Sequence, residues 1–225
     1  MIVTSEAIVL RARKQGETSK IVTLYTLGYG KLNVIAKGAR EIKSKFGGAL
    51  EMFAHISAVF YKKEKSEGLY LLSKADLIGS NAKILRSLER MEAATAIIEL
   101  ILRSMHDEEA NPEIFALLAA TLKALAETNN DDAAASLQLR FYLEFARIMG
   151  FGMDFGKDAE RAIHSPEAHA ALRHLQGSTL ELASSLRLSE KAKLELSHFF
   201  NAYFAQHLPG ITSRSMKSGK VFSSL

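Results

Sequence analysis

The residues best suited to chemistry lie in one stretch, Lys37-Gly38-Ala39-Arg40-Glu41-Ile42-Lys43-Ser44-Lys45-Phe46-Gly47-Gly48. Four cations stand there among small residues and one aromatic. Lys and Arg supply charge and hydrogen-bond donors for phosphate oxygens, Gly lets a backbone approach closely, and Phe46 offers a face on which a base can stack. The same residues also read as a solvated loop between two strands, with Phe46 plugging the end of a barrel. The sequence leaves both readings open, although Phe46 suits a core better than a platform.

A second cationic cluster, Arg11, Arg13, Lys14 and Lys20, surrounds the turn Gln15-Gly16-Glu17-Thr18. Strand alternation puts Arg11 and Arg13 on one face. These residues either extend the groove of the first cluster or are ordinary surface charges. Lys62, Lys63 and Lys65 are interleaved with Glu64 and Glu67 and read as a solvated turn.

The charge is unevenly spread. Residues 1–80 hold thirteen basic and seven acidic residues, against sixteen and eighteen in the remainder, within a total of +4. Such asymmetry points the first segment toward a polyanion, or marks a small basic domain that is merely soluble.

Enzyme signatures are absent. The sequence has no phosphate-binding P-loop, no GxGxxG, no HExxH and no GxSxG. His164, His169 and His174 are five residues apart, so on a helix they diverge and read as surface histidines. Asp107-Glu108-Glu109 reads as an acidic turn whose charge suits the start of the next helix. There is no cysteine, so disulfides, thiolate metal sites and cysteine nucleophiles are excluded, in keeping with a reducing cytosol. The N-terminal segment has no basic stretch followed by a long apolar run, so no secretory signal is expected. The most apolar run, Ala93 to Leu102, is broken by Glu99, so no membrane association is expected. The expectation is a protein without catalytic residues, metal or cofactor.

The elements that position these residues are legible from periodicity. Ala7 to Leu10, Ile21 to Thr26, Leu32 to Ala36, Met52 to Tyr61 and Leu69 to Leu72 are short, β-branched and aromatic, and bounded by turn signals. Gly28-Tyr29-Gly30 predicts a tight hairpin, and Gly47-Gly48 is expected to open the fourth strand. Five such strands predict a small antiparallel barrel over residues 1–80. From Asn81 the period becomes helical and Ala, Leu and Glu dominate. Asn111-Pro112, Asp131 or Asp132, Ser165-Pro166 and Ser189-Glu190 mark helix starts. Gly150 and Pro209-Gly210 mark helix ends, and Phe151 to Gly156 reads as an irregular connection. The last helix is apolar over a wide arc through Phe199, Phe200, Tyr203 and Phe204, as burial in a bundle requires, although a residual groove there would also accept an apolar peptide. The organisation predicted is α+β and multidomain: an OB-fold β-barrel (1–80), an all-α domain (81–210) and a basic tail (211–225) with Arg214, Lys217 and Lys220.

Four blocks carry a family resemblance. Gly16-Glu17-Thr18-Ser19-Lys20-Ile21-Val22-Thr23-Leu24, Gly30-Lys31, Ala36-Lys37-Gly38-Ala39-Arg40 and Lys45-Phe46-Gly47-Gly48-Ala49-Leu50-Glu51 resemble, in order and spacing, the bacterial DNA repair and recombination mediator family RecO. The resemblance is strongest over the first 80 residues. It extends more loosely through Asn111-Pro112 with Phe115 and Leu118, then Phe141, Leu143 and Glu144, then Gly150.

The resemblance implies an N-terminal OB-fold and a helical C-terminal domain. It implies binding of single- and double-stranded DNA, annealing of complementary strands, and help in loading the RecA recombinase onto DNA coated with single-strand-binding protein, together with RecR. It implies DNA contact first at Lys37 and Arg40, then at Lys43 and Lys45; Arg11, Arg13 and Lys20 join the candidate DNA contacts on their charge alone, as residues of the second cluster. It implies a cytoplasmic, nucleoid-associated protein whose helical domain docks the acidic, apolar tail of single-strand-binding protein, at residues that the resemblance does not identify. One departure matters: many members hold zinc through four cysteines after the position of Gly150, and this chain has none, so zinc is expected to be absent. Two rival classes stand beside this reading. One is a non-catalytic scaffold whose basic loop meets an acidic protein segment, and the other is an enzyme on nucleic acid, disfavoured by the missing motifs.

Overall fold

The computed structural model describes residues 1–62, 68–152 and 162–208. The Lys63 and Lys65 part of the basic turn, most of the connection after Phe151, the Pro209-Gly210 stop and the tail from Ile211 lie outside the described residues.

Five strands, β1 (Ile2–Gln15), β2 (Ser19–Thr26), β3 (Gly30–Ala36), β4 (His55–Tyr61) and β5 (Leu69–Gly79), close into a barrel in the order β1-β2-β3-β5-β4. Only the short β3–β5 pairing, Asn33 to Ile35 against Leu69 to Leu71, is parallel. This is an OB-type barrel. Its strands form where alternate residues have an apolar interior to fill. In β3, Leu32, Val34 and Ala36 point inward, and in β4, Ile56, Ala58 and Phe60 do the same. The long β1 pairs through Ile2–Ile8 with β4 and from Ala7 onward with β2, and a register shift between Val9 and Arg11 bends it between the two.

One detail of the β3–β4 connection differs from the sequence expectation, and another decides between its two readings of Phe46. Gly47-Gly48 does not open a strand. It starts a single 3-10 turn, Gly47–Leu50, that drops Ala49 and Leu50 into the barrel core. Phe46 is 3% exposed and belongs to the same core. Burying a Phe stabilises by about 1.5–3 kcal/mol, which a base platform would forfeit, so Phe46 is the barrel plug and not a stacking face.

Beyond the barrel the helices are α1 (Leu88–Ser104), α2 (Pro112–Glu127), α3 (Ala133–Ile148), α4 (Pro166–Leu175), α5 (Leu180–Ser185) and α6 (Glu190–His207). Asn111 caps α2, its Oδ1 accepting the Ile114 N–H at 3.0 Å, with Pro112 in the first turn. Ser165 and Ser189 cap α4 and α6 in the same way. The start of α3 departs from expectation: Asp132 sits at the cap position without a side-chain cap bond, and the Asn130 Oδ1 instead takes the Asp132 N–H at 3.1 Å. The six-residue α5 is too short for its periodicity to register in the sequence. Helix α3 is the hub on which α1, α4, α5 and α6 pack. Phe141 and Phe145 of α3 are fully buried with Phe200 and Phe204 of α6, so the aromatic arc of the last helix is core.

The chain divides into two compact units. The first is Met1–Ala82 together with Met105–Ala119. The second is Lys83–Ser104 with the chain from Ala120 onward. The barrel unit thus includes a later segment that the sequence reading placed entirely with the helices.

Candidate nucleic-acid interface

At one end of the barrel the β1–β2 turn and the β3–β4 loop are tied together. The Arg40 N–H donates to the Thr18 carbonyl at 2.8 Å, and its guanidinium Nη1 donates to the Gly16 carbonyl at 2.9 Å. Arg40 therefore positions two loops as well as contributing charge. Within the β3–β4 loop, the Glu41 N–H reaches the Gly38 carbonyl at 3.2 Å and the Ser44 N–H reaches the Glu41 carbonyl at 3.0 Å. Phe46 anchors its far end, with the Lys45 ammonium 5.2 Å from the Phe46 ring centroid. Gly38 adopts φ +70 with the Glu41 carboxylate over it, a backbone state that favours glycine.

These ties bring both sequence clusters to one end of the barrel. Lys37, Arg40, Lys43 and Lys45 are exposed on the loop, and Arg11, Arg13 and Lys14 are exposed on β1, with Ala12 turned inward between them. Among the described residues none of Arg11, Arg13, Lys14, Lys37 or Lys43 pairs with a carboxylate. Lys20 is different. It is half-buried and bonded to Glu51 at 3.2 Å, so its charge is neutralised within the chain. The sequence reading also gave no weight to Ile42, which stands wholly exposed at the tip of the loop. Its apolar type between Glu41 and Lys43 was the available signal.

A row of apolar side chains crosses the outer surface. Ile21, Ile35, Leu71, Tyr61 and Ile2 are successive cross-strand partners, and Arg13 faces Ile21 at the row's end. Leu71, Tyr61 and Ile2 are substantially exposed.

Another face of the barrel is covered by residues 105–119. Ile8, Tyr25 and His55 are cross-strand partners on that face. Phe115 lies over them, 6.5 Å from the Tyr25 ring and 5.8 Å from the His55 ring. Burial pushes the Tyr25 phenol far above its usual value. The acidic turn acts here, and not as a helix-start charge. Asp107 bridges to Lys31 at 3.3 Å, the Glu108 N–H donates to the Lys31 carbonyl at 2.8 Å, and the Glu108 carboxylate takes the Tyr70 hydroxyl and, at 3.1 Å, the Lys62 ammonium. The Tyr70 bond, then Lys62, hold Glu108 below the usual carboxylate range. Of the three spaced histidines, His169 bonds the Ile163 carbonyl at 2.9 Å, while His164 and His174 are exposed. No helix among the described residues is long and apolar enough to cross a membrane.

The barrel order, its cationic loop end and the helices that follow define the class: an OB-type barrel joined to a helical unit. The chain belongs to the recombination protein O family. The family description "Recombination protein O N terminal" matches residues 1–81, and "Recombination protein O C terminal" matches residues 85–161 and 155–217. Among curated relatives, the DNA repair protein RecO of Salinibacter ruber is 36% identical over 172 residues, covering 76% of this chain and 65% of the relative. That of Chloroherpeton thalassium is 32% identical over 194 residues, covering 83% of this chain and 74% of the relative. That of Geobacter metallireducens is 34% identical over 162 residues, covering 72% and 64%.

Proposed function

We propose that this protein acts in DNA repair as a non-enzymatic recombination mediator, and that the loop end of its barrel holds the phosphate backbone of single- and double-stranded DNA. The observation that carries the reading is the set of exposed cations, Arg11, Arg13, Lys14, Lys37 and Lys43, that no carboxylate among the described residues neutralises. Cations left without an internal counterion on a fixed framework suit an external polyanion, and binding one releases its condensed counterions. The names of the relatives support placing that polyanion in DNA repair. In this reading the protein brings complementary strands together. It helps load RecA onto DNA coated with single-strand-binding protein, with RecR as partner and the tail of single-strand-binding protein docked on the helical unit, in the nucleoid-associated cytoplasm. Its action is positioning and involves no covalent step.

The exposed row through Ile2, Tyr61 and Leu71 favours a protein partner on the outer barrel surface as a second reading. The test is fluorescence anisotropy of a labelled single strand across a salt series, comparing wild type with Lys37→Ala/Arg40→Ala. A steeply salt-dependent affinity that falls in the double variant is expected. Firm capture of a protein partner with no DNA binding would replace this reading with the scaffold.

A further inference from the structure

We infer that Ile42 is an apolar wedge that inserts between bases of the bound strand, so that the β3–β4 loop touches bases as well as phosphates. The inference rests on reading this loop as a DNA-binding element. Ile42 is 105% exposed, the most exposed large hydrophobic among the described residues. A side chain so placed packs against nothing among the described residues, so their folding does not account for an isoleucine there.

The setting accounts for it. Exposed Arg40 and Lys43 stand on either side, with Lys37 and Lys45 beyond them. The tip is not a slack loop. The Gly38–Glu41 and Glu41–Ser44 backbone bonds stiffen it, Arg40 ties its near side to Gly16 and Thr18, and buried Phe46 fixes its far side. A strand whose phosphates lie along these cations has its bases near the tip. Apolar wedges of this type, isoleucine included, enter base steps and unstack them. Isoleucine is β-branched and stiff at χ1, and it has no donor or acceptor. It therefore separates bases without reading their identity. Prising a step apart costs less in a single strand than in a duplex, where pairing is lost too. The wedge thus favours single strands and leaves unstacked bases ready to pair with a second strand.

A basic loop with an apolar tip also suits an anionic lipid surface, and the test separates the two. The full chain is titrated against a single-stranded oligothymidine carrying one 2-aminopurine, whose fluorescence rises on unstacking, and against vesicles of phosphatidylglycerol and phosphatidylcholine. Wild type, Ile42→Ser and Ile42→Leu are compared; at a fully exposed position neither substitution disturbs the fold. We expect wild type and Ile42→Leu to brighten the probe. Ile42→Ser is expected to lose most of the brightening and to bind about five- to tenfold more weakly, with the salt slope unchanged because no charge is removed. Equal brightening by Ile42→Ser, or wild-type binding without brightening, overturns the wedge while leaving phosphate binding intact. Vesicle binding that depends on Ile42, with an Ile42-independent DNA response, overturns it in favour of a lipid contact. Absence of any wild-type DNA binding overturns the parent reading, and the wedge with it.

Discussion

Lys31 and Lys37 flank the same strand and meet opposite fates. Lys31, at the start of β3, lies on the covered face, where Asp107 neutralises it and a backbone bond from Glu108 fastens the strand beside it. Lys37, one residue past the end of β3, is exposed and has no carboxylate partner among the described residues. The difference holds for the wider surroundings. Lys62 and Tyr70 on the covered side converge on Glu108, whereas Arg11, Arg13, Lys14 and Lys43 have no carboxylate partner among the described residues. Charge that a fold neutralises internally serves the fold. Charge that it holds open, on loops tied down at Arg40, is what the proposed function assigns to DNA.

The sharpest way to break the covered face is Gly30→Ala. Gly30 has φ +65, and an added Cβ would stand 2.1 Å from the Glu109 carbonyl oxygen, which is backbone and cannot swing aside. The combined strain and clash should cost the barrel unit about 3 kcal/mol or more, read as a lowered urea midpoint. Next in size, removing Lys37, Lys43 and Lys45 together should weaken single-strand binding about 100-fold, about 2.7 kcal/mol. The same variant should flatten the salt slope by about 2, at about 0.7 per phosphate contact. Lys31→Ala serves as the control and should leave affinity within about twofold, because its charge is already neutralised within the chain. If Lys31→Ala weakened binding as much as the loop variant did, the two regions would not differ in the way proposed.

A smaller effect sharpens the covered side. Glu108→Gln should destabilise the barrel unit by about 1 kcal/mol, mostly through the altered Tyr70 bond, since solvent screens the Lys62 pair. The folded-state pKa of Glu108 is depressed, so its contribution is fully present above the ordinary carboxylate value of about 4.3 and is lost as pH falls through the folded value. The gap in melting temperature between wild type and Glu108→Gln should therefore be flat near neutrality and close in acid. Smallest of all, Arg40→Lys keeps the charge but loses the planar donor group that ties the loop to Gly16. DNA affinity should drop about threefold with an unchanged salt slope, a signature of lost positioning and not of lost charge.

Much of this was legible in the sequence because it is local. Alternation in Ile56 to Tyr61 and in Leu32 to Ala36 exposes the strands, and the inward Ala12 between Arg11 and Arg13 follows from the same period. The hidden parts are pairings between distant residues. Nothing near Lys20 announces Glu51, thirty-one positions away, although that pair removes Lys20 from the open cations. Asp107 and Glu108 look like helix-start charges from their neighbours alone, and only the barrel's closure shows that Lys31, Lys62 and Tyr70 claim them. Phe46 carried both meanings in the sequence, and the volume inside the barrel decided between them.

The covering segment also sets a timetable. A ribosome delivers every barrel strand by Gly79, then helix α1 of the other unit, and only then residues 105–119. At about 5–20 residues per second, the interval between Ala82 and Ala119 is about 2–7 s. Through that interval the nascent chain has its five strands but lacks the segment that covers Ile8, Tyr25 and His55, so these three side chains wait for a piece of chain still being made. The barrel is thus the first part of the molecule to be synthesised in outline and yet is finished only after α1 has emerged.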